Sequence, residues 1–125
     1  MTRLLLSILL LPAAVLAGGT WWTDPDRIAL GETVFDAKCM GCHHPEVKAF
    51  GPSFRWIASR RTPAEIYAYI VSPAALSRER GYASNSMPHI PLTREEIEAA
   101  AAYVYSFRSG RDGRGGDPDN GGAGK

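Results

Sequence analysis

Five consecutive residues, Cys39-Met40-Gly41-Cys42-His43, put two thiols and an imidazole within reach of one planar ligand. The spacing is C-x-x-C-H, the signature of covalent haem attachment. Each thiol can add to a vinyl group and fix the macrocycle by a thioether bond. The histidine beside the second thiol can then donate a ring nitrogen to the iron. Cys39 and Cys42 are the only two cysteines of the chain. A C-x-x-C pair also suits a plain disulfide, a thiol–disulfide redox site or half of a zinc site. A thioredoxin-type site calls for a βαβ context, whereas the flanks here read as helices. Zinc needs further ligands, and the only other histidines are His44 and His89. Haem uses every residue of the motif, and a plain disulfide is the main alternative.

An iron held by His43 has a second face. The candidate ligands are Met40, Met87, His44 and His89, or the position is open. Met40 lies between the two cysteines, so its backbone is committed to the motif. Met87 sits in Asn85-Ser86-Met87-Pro88-His89-Ile90-Pro91, where prolines can hold a methionine in place without a helix. Methionine is ordinarily core filler; beside a haem motif, ligation is the better reading, with His89 as its rival.

Three helical segments must position these groups. Asp24 can cap a helix with Pro25 at its first position. Ile28, Gly31, Val34 and Phe35 then recur at helical spacing up to Lys38, which delivers Cys39 at the end. Thr62-Pro63-Ala64-Glu65 is a capping box with proline at N1, and the helix it starts ends near Ser72, because Pro73 cannot continue it. Thr93-Arg94-Glu95-Glu96 is a second capping box, with Leu92 and Ile97 placed as a hydrophobic staple. Ile97, Ala100, Ala101, Val104 and Phe107 line one side of that helix, which ends at Gly110. The Gly51-Pro52 pair marks a turn, and Trp56 and Ile57 read as core contacts. A short turn at Ala74 to Leu76 and a loop from Ser77 to Pro91 complete the pattern. No strand-like alternation of useful length occurs, so the expected fold class is all-α.

The ends differ from this core. Arg3, an apolar run from Leu4 to Leu11 and small residues through Ala17 have the order of a secretory signal peptide. The stretch is shorter than the roughly 20 residues a spanning helix needs; the alternative is an uncleaved anchor. The expected domains are a signal peptide at 1–17, one compact domain at 18–108 and a disordered Gly-rich tail at 109–125. Arg114-Gly115-Gly116 in the tail is too isolated to indicate RNA binding. Without Arg3, the 14 Lys and Arg become 13, against 13 Asp and Glu. This balance argues against nucleic acid as a partner. Between Lys38 and Arg80 the charges are uneven: Lys38, Lys48, Arg55, Arg60, Arg61, Arg78 and Arg80 against Glu46, Glu65 and Glu79.

The order of C-x-x-C-H, Gly51-Pro52, Ser86-Met87-Pro88 and the run from Leu92-Thr93 through Glu96-Ile97 to Ala99-Ala100-Ala101-Ala102-Tyr103-Val104 resembles class I (mitochondrial-type) c-type cytochromes, as single-haem domains of bacteria. The resemblance covers Pro25 to Phe107. It implies three main helices around one covalently attached haem, with the first and last crossing. It implies that Gly31 and Phe35 pack against Tyr103. It also implies that the Pro52 carbonyl accepts the other ring N–H of His43, which fixes the ligand's orientation. Tyr67, Tyr69 and Trp56 read as core packing; Trp56, Arg60 and Arg61 could instead bind haem propionates.

The expected function is electron transfer by an exported protein of the periplasm, with haem c held by Cys39 and Cys42, and iron held by His43 and Met87. Such iron has no open position for substrate, and the thioether raises its potential. No paired carboxylates, nucleophile elbow or phosphate loop argues for an enzyme. The expected partners are redox proteins, a dehydrogenase or terminal oxidase among them, with the chain acting as a free shuttle or as a complex subunit. Two other readings stand: a catalytic or gas-binding haem if Met87 does not ligate, and an accessory protein that docks through Trp21-Trp22 or its tail.

Overall fold

A computed structural model describes residues 20–82 and 87–109. Five α-helices and two short 3-10 turns, at Trp21–Thr23 and Phe107–Ser109, make up the regular structure, and there is no strand among the described residues. Segments 1–17 and 110–125, where a signal peptide and most of a tail are expected, lie outside them. Among the described residues no helix is long and apolar enough to cross a membrane.

Helix α1 (Pro25–Lys38) starts where Asp24 Oδ1 accepts the N–H groups of Asp26 at 3.0 Å and Arg27 at 3.4 Å. These satisfy two of the donors that a helix leaves open at its start. Its last turn closes through the Cys39 N–H to the Phe35 carbonyl at 2.8 Å. Helix α2 (Phe54–Arg60) is capped by Ser53 Oγ, which accepts the Trp56 N–H at 3.2 Å. Helix α3 (Pro63–Val71) has a reciprocal box: Thr62 donates to Glu65 Oε2 at 2.8 Å and Glu65 N–H donates to Thr62 Oγ1 at 3.2 Å. Helix α4 (Pro73–Glu79) follows after one residue. Pro73 stops α3 and, with its φ already suited to a first helical position, starts α4. Helix α5 (Arg94–Ser106) repeats the box with Thr93 and Glu96, at 2.7 and 3.2 Å.

The three expected helices are present, and the sequence expectation needs two additions. The segment after Gly51-Pro52 forms α2, and the stretch read as loop from Ser77 gives its first three residues to α4, which ends where Gly81 takes a φ of 72°. Both helices have seven residues, too few to be stable alone, so packing decides them. Phe54 and Ala58 of α2 are buried, and Tyr69 of α3 is tied to the buried Ser77 of α4 by a 2.6 Å hydroxyl–hydroxyl bond.

Helix α5 is the centre of the molecule, packed against α1, α2, α3 and the Trp21–Thr23 turn. Its Ala99, Ala100, Ala101 and Ala102 are all buried, so its inward surface is broader than the one side that periodicity suggests. Methyl side chains let neighbours approach on several sides. The largest interface is α1 with α5. A Cβ at Gly31 would fall on the Ala99 carbonyl oxygen and 2.6 Å from Tyr103 Cβ, so glycine is what permits the close crossing. Phe35 meets Tyr103 at 5.7 Å and Phe54 at 5.0 Å between ring centroids. Phe35, Phe54, Ile66, Ala101 and Val104 form the core, bordered by Trp21, Ile57, Tyr67 and Ile70 among others. Trp21 packs edge-on against Tyr67 at 6.5 Å. Trp56 is half-buried outside that core, with the Arg60 guanidinium 4.7 Å over its ring. Arg27 and Arg94 both pair with Glu98, which fastens the start of α1 to the start of α5.

Candidate haem site

Helix α1 ends at the motif. Its carbonyl ladder continues into a tight turn, in which the N–H groups of Cys42 and His43 both donate to the Cys39 carbonyl at 3.1 Å. Both cysteines are free thiols, Cys39 partly buried and Cys42 exposed. Burial, and then the nearby Cys42, push the Cys39 thiol up, so it is protonated at neutral pH. Free thiols are what thioether formation requires, and a disulfide is not what this turn holds.

The chain then loops back. Gly51 N–H donates to the Cys42 carbonyl at 2.7 Å, which brings Pro52 beside His43. His43 Nδ1 lies 2.8 Å from the Pro52 carbonyl oxygen. A carbonyl can only accept, so Nδ1 carries a hydrogen, and Nε2 is the ring nitrogen left to meet a metal. Phe54 stacks on the same imidazole at 5.6 Å and 29°. Gly51 lies against it so closely that a Cβ there would stand 2.5 Å from His43 Cε1. The donor set, two free thiols and an imidazole whose Nδ1 is held by a carbonyl, fits a covalently attached haem.

Met87 is on a separate segment. It is half-buried and lines a cavity of about 390 Å³ with Pro88, His89 and the α3–α4 junction at Val71, Ser72, Pro73 and Ala74. The fold thus brings Cys39, Cys42, His43 and Pro52 together at the end of α1, and places Met87 beside the junction of α3 and α4. Of its rivals, Met40 is 61% exposed. His44 Nδ1 is committed to a turn, accepting the N–H groups of Glu46 at 3.0 Å and Val47 at 3.2 Å. His89 is exposed. Arg61 donates to the Tyr82 hydroxyl at 3.1 Å.

Sequence reasoning passed over two residues of this site. Gly51 was legible as a turn, not as the neighbour of the imidazole. Phe54 was legible only as part of the same loop, although Ser53 as a cap with apolar Phe54, Ile57 and Ala58 behind it is a short helix signal.

The cytochrome c family model matches residues 28–108. The chain belongs to the cytochrome c family, whose members bind one covalent haem c and carry electrons to and from redox partners without being enzymes. Cys39 and Cys42 fit the family's attachment motif. The chain is 28% identical over 89 residues to cytochrome c2 of Rhodocyclus tenuis, covering 66% of this chain and 94% of that one. Its fold is similar to that of a cytochrome c from Rhodothermus marinus, with a TM-score of 0.58 over 67% of this chain and 78% of the other, at 23% identity.

Proposed function

We propose that this chain is an exported electron carrier whose iron is held by His43 and Met87, on a haem attached through Cys39 and Cys42. The observation that carries the reading is the 2.8 Å bond from His43 Nδ1 to the Pro52 carbonyl inside the attachment loop. It directs Nε2 to the metal, sets the ring's rotation and raises the basicity of the ligand. When bound, the haem supplies one iron that alternates between two oxidation states. Met87 would donate a thioether sulfur, which would favour the reduced state and close the iron to substrate. Phe54, stacked on the imidazole, and Gly51, close against it, hold the ring in place. Beside their contacts with Trp56 and the Tyr82 hydroxyl, Arg60 and Arg61 keep further N–H groups that could meet haem carboxylates. The order of charged, apolar and small residues over 1–17 supports export to the periplasm. The partners are redox proteins such as a dehydrogenase or a terminal oxidase.

A redox titration followed by visible spectra tests this on the full chain made with a haem-attachment system. The expected result is one reversible couple, with a weak long-wavelength band of methionine-bound ferric iron. Met87→Ala lowers the potential and admits carbon monoxide, and His89→Ala changes neither. A high-spin wild type, or the reverse pattern in the two variants, overturns the ligand assignment and favours a gas-binding or catalytic haem.

A further inference from the structure

We infer that Arg80 and Tyr82, fastened back to Glu65 and Arg61, form a clasp that limits the reach of Met87 and so keeps the iron closed to outside ligands. They are positioning residues, and the inference rests on the reading of Met87 as the iron's second ligand. Helix α4 has seven residues and packs chiefly against α3, so it must be fastened to hold its place. Its first end is fixed, because Ser72 alone separates it from α3. Its middle is tied by the bond between Tyr69 and Ser77. Its far end, from which the chain leaves for Met87, is held by two arginines.

Gly81 ends α4 in a Schellman turn. Its N–H donates to the Arg78 carbonyl at 3.1 Å, and the Tyr82 N–H donates to the Ser77 carbonyl at 2.9 Å. The residues on either side of this glycine both tie back to the start of α3. Arg80 Nη2 donates to Glu65 Oε1 at 3.1 Å, and the Tyr82 hydroxyl accepts from Arg61 Nη2 at 3.1 Å. Glu65 is already in place, because its other oxygen accepts the Thr62 N–H at 2.8 Å. The carboxylate that caps α3 therefore also holds the end of α4. The Arg80 side chain is only 20% exposed, so solvent screens this pair less than one in open water.

The clasp sets how much chain is free on the way to the ligand. Met87 follows Tyr82 by five positions, and Thr93 caps α5 six positions later. With the clasp closed, Met87 lies on a connection of residues 83–93 between two fixed ends. With the clasp open and α4 off α3, the connection starts at the end of α3 and covers residues 72–93, about twice the length. The local concentration of a group on a flexible connection falls roughly as the −3/2 power of its length. Doubling the connection therefore lowers that of Met87 by about threefold. An outside ligand competing for the same position gains the same factor. A partly exposed ion pair is worth up to about fivefold, so its loss is enough to open the clasp.

The test titrates imidazole, a neutral ligand, into the ferric, haem-loaded full chain while the long-wavelength methionine band is followed. Glu65→Gln keeps an acceptor for the Thr62 N–H and loses the charge that faces Arg80. Arg80→Gln removes the other partner of the same pair. Each should raise the affinity for imidazole about threefold, and the double variant should gain no more than either alone. The two variants remove opposite charges, so a long-range field effect on the iron would move them in opposite directions. Tyr82→Phe, which loses the bond to Arg61, should also raise the affinity. Glu98→Gln, which breaks the ion pairs of Arg27 and Arg94, should bind imidazole as the wild type does. The proposal is overturned if Glu65→Gln and Arg80→Gln match the wild type, shift in opposite directions or add in full. It is also overturned if Glu98→Gln gains as much, since the cause is then a general loss of stability. An unchanged Tyr82→Phe removes Tyr82 from the clasp. A wild type without the methionine band removes the ligand reading itself, and that is seen before any imidazole is added.

Discussion

Gly51→Ala is the sharpest test of how the loop sets His43. A Cβ at this position would stand 2.5 Å from His43 Cε1, 2.9 Å from Nδ1 and 3.0 Å from Nε2. Carbon atoms in contact prefer about 3.5–4.0 Å, so ring or backbone must shift by about 1 Å. The ring is not free to do so, because it stacks on Phe54 and its Nδ1 is bound to Pro52. Overpacking of this kind costs about 1–3 kcal/mol, and loss of the hydrogen bond about 0.5–1.5 kcal/mol more. A cost of about 2 kcal/mol lowers the melting temperature of a domain this size by roughly 8–16 °C. The holoprotein is melted while haem absorbance and helical circular dichroism are recorded, and its potential and ferric spectrum are measured. Gly51→Ala should be destabilised and show a shifted potential. Gly41→Ala, inside the same motif but with nothing within 4 Å of the added carbon, should stay within about 0.5 kcal/mol of the wild type. If both variants melt alike and keep the wild-type potential, Gly51 does not hold the imidazole and the argument fails.

Gly31→Ala forces α1 off the Ala99 carbonyl and Tyr103; overpacking of about 1–3 kcal/mol against about 1 kcal/mol gained in helix propensity leaves a net loss of up to about 2 kcal/mol, and an unchanged melting temperature would show that the helices do not meet there. Cys39→Ala with Cys42→Ala should yield no covalent haem and little folded protein, since a domain this small buries little surface unaided; full helicity without haem would refute it. Glu65 is held below the usual carboxylate range by the Thr62 N–H first and by Arg80 next. Its contribution is present above the unfolded value of about 4.3 and is lost as pH falls through the folded one. Melting temperature should therefore fall with pH below about 4.3, and less steeply in Glu65→Gln; parallel profiles would remove Glu65 from the acid response. The effect is small, because the side chain is 40% exposed and screened by solvent.

What could be read from residue order alone follows from interactions that span few residues. The spacing of Cys39, Cys42 and His43 is local, and so are the caps at Asp24, Thr62 and Thr93, each of which closes on a backbone N–H two or three positions away. The three longer helices and the all-α class were legible for this reason. So was the stop at Pro73, though not its second role as the first residue of α4.

Tertiary structure decided the rest, because it depends on contacts between distant segments. Seven residues cannot sustain a helix alone, so α2 exists because Phe54 and Ala58 have a core to enter. The alanines of α5 are weakly patterned, and only the convergence of α1, α2, α3 and Trp21 on that helix makes all four of them interior. The same convergence turns Gly51 from a turn former into the neighbour of an imidazole, and leaves Phe50 in water while Phe54 is buried. Residue type sets what each group can do; which of two phenylalanines four positions apart meets solvent is set by the whole packed chain.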